Sequence, residues 1–69
     1  MKLSARNVLK GTVKEIETGT VNCVVKVDIG RGQLISSMIT MDACNDMGLT
    51  VGTEVMAIIK SSNVILGTM

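Results

Sequence analysis

The stretch 21–29 constrains the fold of this chain most strongly, because apolar side chains occupy every second position. The stretch reads Val21-Asn22-Cys23-Val24-Val25-Lys26-Val27-Asp28-Ile29. A period of two is typical of a β-strand that buries one face. Gly30-Arg31-Gly32 follows directly, and glycines adopt the positive φ angles that tight hairpin loops require. The sequence therefore predicts a strand over 21–29 that ends in a hairpin.

Four other segments have strand-like character, and one has a helical pattern. Strands are predicted over 8–16, 33–40, 54–60 and 63–66, and Gly11 inside the first of them indicates a bend or a close backbone approach. Between the third and fourth strands, Thr40 or Asp42 can cap a short helix, and Gly48 is suited to end it. The predicted order is therefore three strands, a helix and two strands.

This order predicts an all-β fold, a five-stranded OB-like Greek-key barrel with one short helix, over a single domain at 1–69. A small open sheet is the alternative, but it would leave strand edges exposed in a very apolar chain. Hydrophobic residues make up 46% of the sequence and aromatic residues are absent, so the core is thin and apolar surface is left over. We therefore expect a homo-oligomer.

Composition also limits the function. The longest apolar run, 55–59, is far shorter than the roughly 18 residues of a membrane-spanning helix, so no membrane partner is expected. The first residues lack the apolar stretch of a signal peptide, which favours a cytoplasmic protein. A net charge of +1 and the absence of aromatic residues argue against nucleic acid as a partner.

The residue types that enzymes and cation sites use are mostly missing. The chain has no His and no cysteine next to a base, so neither a nucleophilic dyad nor an acid–base pair is visible and no enzyme activity is predicted. The acidic residues are scattered, and Cys23 and Cys44 match no metal-ligand spacing, so no metal cation is expected. We interpret the two cysteines as reduced and mostly buried thiols.

Two short polar clusters carry the functional argument. Ser4 and Arg6 share one face of an extended segment, and Ala5 between them lets a ligand approach the backbone N–H. Lys60 and Ser61 lie where an apolar strand ends. Arginine, lysine and serine all donate hydrogen bonds, and two of them carry positive charge, so together they suit a ligand that only accepts hydrogen bonds. An anion site and a simple solvated surface both remain possible from spacing alone.

The same residues carry a resemblance to a known family. Ser-Ala-Arg-Asn at 4–7 with Leu-Lys-Gly-Thr-Val at 9–13 is similar to the opening of the molybdenum-pterin-binding proteins, or molbindins. Ser-Met-Ile-Thr at 37–40 and the segment 55–62 resemble them too. The resemblance implies an OB-type domain of the transport-associated (TOBE) class that binds and stores molybdate or tungstate in the cytoplasm. It also implies a hexamer, a trimer of dimers with one strand exchanged between partners.

The resemblance further implies which residues bind the oxyanion. Ser4, Ala5 and Arg6 of one subunit would face Lys60 and Ser61 of another. Thr40 matches a threonine of a related molybdate-sensing regulator, and a second class of site near the three-fold axes would use residues such as Thr20, Val21 and Asn22. Two alternatives stay open, a regulatory module that binds a partner protein and a binder of the molybdenum cofactor, although no aromatic residue could stack on a pterin.

Overall fold

The computed structural model describes residues 2–69, which form one curled antiparallel sheet, one α-helix and one 3₁₀ turn. In chain order these elements are β1 (Asn7–Thr18), β2 (Asn22–Gly30), β3 (Gln33–Thr40), α1 (Met41–Met47), β4 (Glu54–Ile59) and the turn Ser61–Asn63. The order in the sheet is β3-β2-β1-β4, so the chain crosses from one edge to the other after α1. The four predicted strands that precede 61, and the helix between them, are confirmed.

The long strand β1 joins two ladders. Its first half pairs with β4, from Asn7 opposite Ile59 to Thr12 opposite Glu54, and its second half pairs with β2. A register shift after Val13 marks a bulge, and bulges bend and twist a strand. Such a bend allows a single strand to serve neighbours on both sides, which is how four strands curl toward a barrel.

Gly11 lies at a close approach of β1 and β2. A Cβ atom at this position would lie 2.5 Å from Val27 Cγ1 and 2.7 Å from the carbonyl oxygen of Asp28. Both distances are shorter than any ordinary van der Waals contact, so only glycine fits. The predicted close backbone approach at Gly11 is confirmed.

The core is small and is built mainly from β1, β2 and the helix α1. Its fully buried members are Val13, Cys23, Val25, Val27 and Cys44. Half-buried apolar side chains pack around them, namely Ile16, Ile29, Ile39, Met41, Leu49 and Val55. The three β2 residues in the core are alternate positions of the pattern that predicted this strand. A core of small side chains agrees with the lack of aromatic residues.

The helix α1 begins at a side-chain cap and covers one end of this core. Thr40 Oγ1 accepts a hydrogen bond from the Ala43 N–H at 3.0 Å, and Gly48 ends the helix with a φ of 63°. Among residues 2–69, no helix combines the length and the apolar character that crossing a membrane requires.

The prediction of a fifth strand over 63–66 is wrong for the isolated chain. The turn Ser61–Asn63 redirects the backbone after β4, and residues 64–69 form no regular structure. Their side chains are exposed, with Ile65 at 94% and Leu66 at 89% of full exposure. Within the chain this segment pairs with neither of the edge strands, β3 and β4.

Candidate functional site

The two polar clusters meet at one end of the β1–β4 ladder. Asn7 and Ile59 form its last pair, so Arg6 lies just before β1 and Lys60 just after β4. The Cα atoms of such a directly opposed pair are only about 4.5–5.5 Å apart, so the backbones of Arg6 and Lys60 leave the ladder next to each other. The clusters, which are more than fifty positions apart in the sequence, are therefore neighbours in the fold.

A side-chain hydrogen bond holds this end of the ladder closed. The amide of Asn7 donates from Nδ2 to the carbonyl oxygen of Ile59 at 3.1 Å, and the Asn7 side chain is half-buried. The bond fixes the backbone immediately before Lys60. Sequence reasoning missed this role for Asn7, although the residue belongs to the Ser-Ala-Arg-Asn motif.

The turn after β4 fixes the second cluster. The Asn63 N–H donates to the carbonyl oxygen of Lys60 at 2.9 Å, and the Val64 N–H donates to that of Ser61 at 3.3 Å. Ser61 and Ser62 therefore lie in the first turn of a 3₁₀ helix, which leaves the N–H groups at its start without an intrahelical acceptor. Hydroxyl and backbone donors thus occur beside the Lys60 ammonium.

All charged and hydroxyl-bearing members of these two clusters are exposed. Ser4, Arg6, Lys60 and Ser61 are open to solvent, and Ala5 is half-buried. No acidic residue occurs in 2–10 or in 55–69, so the charged side chains of both clusters are all positive. The arrangement attracts anions, but one chain alone leaves water free to compete for every donor.

The other four predicted residues form a separate group at the far end of β1. Asn22 lies opposite Thr40 in the β2–β3 ladder, and the Met41 N–H donates to the carbonyl oxygen of Val21 at 2.7 Å. Thr20, Val21, Asn22 and Thr40 are all exposed. Since Cys23 pairs with Thr18 at the end of β1, while Arg6 precedes its start, one chain does not bring the two groups together.

Thr40 has a structural role in addition to any binding role. Its hydroxyl oxygen accepts the Ala43 N–H, which leaves the hydroxyl hydrogen free to donate elsewhere. The nearby Asn22 amide points its Nδ2 toward the Met38 sulfur at 4.0 Å, a weak interaction that leaves the amide available for a better acceptor.

The two cysteines lie apart from both groups. Cys23 and Cys44 are free thiols in the core, and burial, together with a hydrogen bond to Cys44, raises the pKa of Cys23. Residues 2–69 contain no group of three or more His, Cys, Asp or Glu side chains that could hold a metal ion. The donors at the β1–β4 end are suited to an anion instead.

Comparison with known proteins agrees with this arrangement. Residues 3–66 match the model of the TOBE domain. The chain belongs to the TOBE domain family. A probable molybdenum-pterin-binding protein of Haemophilus influenzae is 49% identical over 97% of each chain. The predicted relationship to the molybdenum-pterin-binding proteins is confirmed.

Solved structures of TOBE domain relatives have the same fold. A molybdate-binding protein from Sporomusa ovata superposes with a TM-score of 0.92 at 37% identity, over 99% of this chain and 100% of that one. The cytoplasmic molybdate-binding protein ModG, with molybdate bound, gives a TM-score of 0.95 at 51% identity, and the match covers this whole chain but 49% of that one. The predicted OB-like, mostly β fold is confirmed.

Proposed function

We propose that this protein binds molybdate or tungstate and stores the anion in the cytoplasm. The observation that supports this most is that each chain presents both donor clusters at the same end of the β1–β4 ladder, where a neighbouring copy can meet either of them. The fold and the sequence are also those of proteins described as molybdate-binding.

The chemistry of the proposed site matches that ligand. Molybdate and tungstate are tetrahedral dianions that only accept hydrogen bonds. The forked donors of Arg6 suit an oxyanion, while the Lys60 ammonium and the Ser4 and Ser61 hydroxyls complete a set of donors without a carboxylate. Each hydrogen bond from a charged group contributes roughly 1.5–3 kcal/mol. We include the Ala5 backbone N–H in the same site.

We further propose that the site is completed between subunits. The Ser4–Arg6 segment of one copy would face Lys60 and Ser61 of another, which excludes the water that reaches every donor in one exposed chain. Removing water strengthens each electrostatic contact. Thr40 and the residues Thr20, Val21 and Asn22 would supply a second class of site near the symmetry axes of the same assembly.

The assembly that we propose is a hexamer, a trimer of dimers with exchanged strands. The edge strands β3 and β4 are not joined, and an apolar cleft of about 400 Å³, here called the barrel groove, lies between them. Ile35 and Ile39 line it from β3, and Ala57 and Ile59 line it from β4. The exposed segment 64–69, with the sequence Val-Ile-Leu-Gly-Thr-Met, supplies matching apolar side chains. We propose that this segment enters the groove of a partner as its fifth strand.

The proposed role is binding rather than catalysis. The relatives carry names of binding and transport proteins, which supports a protein that holds its ligand unchanged. Sharing the oxyanion between subunits also links storage to assembly, because a ligand that binds only the oligomer stabilises it by mass action.

Equilibrium dialysis against molybdate, followed by metal analysis, tests the proposal. We expect at least one tightly held anion per pair of subunits for the full chain. Arg6→Ala should lose most of this uptake, because it removes the forked donor, while the circular dichroism spectrum stays unchanged. Lys14→Ala is the matched control, since it removes one positive charge from an exposed position of β1. Equal uptake by both variants would refute the site, and no uptake by the wild type would refute the function.

A further inference from the structure

The β1–β4 ladder has one face that points away from the core, here called the outer face. On the opposite face Gly11 pairs with Val55, which packs against the core. Directly opposed residues of a ladder share a face, and successive pairs alternate between the two faces. The outer face therefore consists of three opposed pairs, all of them exposed: Val8 with Ile58, Lys10 with Met56, and Thr12 with Glu54.

This outer face is part apolar and part charged. Val8, Met56 and Ile58 are exposed to 43%, 47% and 44%. Lys10 and Glu54 lie next to them and line a cleft of about 730 Å³. A two-fold contact brings residue i of one copy to residue j of the other and residue j to residue i. An apolar patch beside one basic and one acidic side chain is therefore complementary to a second copy of itself.

We propose that two copies of this chain pair through the outer face, with a two-fold axis along the ladder, and that this pairing completes the oxyanion site. The pairing rests on the proposed function, since it identifies the partner surface of that site. With this axis, β1 of one copy lies over β4 of the other. Val8 packs on Ile58 of the second copy. The stem of Lys10 covers Met56 of the second copy, and its ammonium meets Glu54 there.

The alternation between the two faces also brings the donor clusters to this contact. Ser4 and Arg6 are exposed, and Ala5 between them is half-buried. Lys60 is exposed, and Ile59 before it is half-buried. Arg6 and Lys60 thus continue the outer face one pair beyond the apolar patch. The same axis places Arg6 of one copy over Lys60 of the other, which is the arrangement that the proposed site requires.

The charges along the contact account for an anion at one end only. Arg6 and Lys60 of both copies meet where neither 2–10 nor 55–69 contains an acidic residue, so these side chains repel each other unless an anion lies between them. At the other end each Lys10 meets a Glu54, and no further ion is needed. A tetrahedral dianion that binds only the paired form therefore stabilises the pair by mass action.

The outer face is compatible with the exchange of segment 64–69. Strand exchange joins two chains, and each chain needs a second contact before dimers can join into a closed hexamer. The barrel groove lies along the edge of β4 that faces β3, whereas the outer face is the surface of the ladder away from the core. Met56 and Ile58 border both surfaces, so the test uses Lys10 and Glu54, which line only the outer face.

Charge reversal in the full chain tests the pairing by sedimentation velocity over a concentration series. Lys10→Glu places two like-charged contacts in each pair, so the concentration at which the assembly dissociates should rise at least about tenfold. Glu54→Lys should have the same effect. The double variant restores opposite charges and should recover most of the loss. Lys14→Glu is the matched control, because Lys14 is exposed on β1 but lies beyond the last pair of the β1–β4 ladder.

Equilibrium dialysis with molybdate then tests the link to the oxyanion site. At a concentration where Lys10→Glu is dissociated, its uptake should fall at least about tenfold below that of the wild type, and the double variant should recover it. Equal uptake by Lys10→Glu and the wild type would overturn this link. A double variant that dissociates as readily as the single variants, or an equal effect of Lys14→Glu, would overturn the pairing even if the wild type binds molybdate. Pairing that follows the charges in a wild type without molybdate uptake would refute the proposed function and leave the paired surface standing.

Discussion

The segment 64–69 gives the sharpest quantitative prediction about assembly. Ile65 and Leu66 are almost fully exposed in the isolated chain, and the barrel groove offers an apolar place for such side chains. Burying one Leu or Ile side chain contributes roughly 1.5–3 kcal/mol. Adjacent residues of a strand point to opposite faces, so at least one of the two enters the groove. A dimer that exchanges two segments therefore gains about 3–6 kcal/mol from these positions.

The perturbation is the double variant Ile65→Ser and Leu66→Ser. Since each 1.4 kcal/mol changes an equilibrium constant tenfold, the dissociation constant of the exchanged dimer should rise about 10²–10⁴-fold. Sedimentation velocity over a concentration series measures it directly. The matched control is Val51→Ser, which removes an exposed aliphatic side chain from a turn outside the barrel groove.

The two single variants test the strand geometry separately. If the segment is a fifth strand, one of Ile65→Ser and Leu66→Ser should weaken the dimer much more than the other, because only one side chain faces the groove. Assembly that is unchanged in the double variant, or weakened equally by Val51→Ser, would refute strand exchange through this segment.

Three further predictions concern the fold and its titration. Thr40→Ala should lower the free energy of unfolding, measured by urea denaturation, by about 1 kcal/mol because the Ala43 N–H loses its cap. Thr40→Ser keeps a hydroxyl and should retain most of this stability. Equal stability of the two variants would contradict the capping role. Gly11→Ala should lower the free energy of unfolding by about 1–3 kcal/mol or more in the same assay, because its Cβ would collide with Val27 and the backbone of β2. A variant as stable as the wild type would show that β1 and β2 can separate here without cost. The pKa of Cys23 is raised in the folded protein, so with rising pH the unfolded chain loses the thiol proton first. The neutral thiol therefore contributes fully to the free energy of unfolding below the pKa of the unfolded chain, and this contribution declines as the pH rises above it. Cys23→Ala should therefore show a weaker loss of stability on the alkaline side, and identical pH profiles would contradict this linkage.

The strands were predictable because their patterns depend on local chemistry. The alternation of apolar residues at 21–29 predicts which side chains face the core, and Cys23, Val25 and Val27 are indeed buried there. The helix was predictable for a similar reason, since Thr40 and Gly48 are residue types that start and end helices, and both do so here. Such signals lie within a few residues of each other in the sequence.

The predicted fifth strand over 63–66 is absent from the isolated chain. The sequence of 63–66 is apolar enough for a strand, but a strand also needs a partner, and after the turn Ser61–Asn63 this segment pairs with no strand of its own sheet. The composition indicates only that the chain has more apolar surface than one small core can bury. It does not indicate which segment buries that surface.

The candidate site was only partly predictable. The donor chemistry of Arg6 and Lys60 could be recognised from residue types, but their proximity depends on the register of β1 against β4. The hydrogen bond from Asn7 to Ile59, which fixes that register, joins residues distant in the sequence and has no local pattern. The resemblance implies that the two clusters pair between subunits, which stays a prediction, whereas the ladder brings both clusters to the same end of one chain.

The most direct test of the central claim is a crystal structure of the full chain grown with tungstate, with the tungsten atoms located by anomalous scattering. We expect a tungstate held by Arg6 and Ser4 of one subunit and by Lys60 and Ser61 of a neighbour. Tungsten found only elsewhere, with Arg6 and Lys60 of neighbouring copies both extended into solvent, would contradict the account.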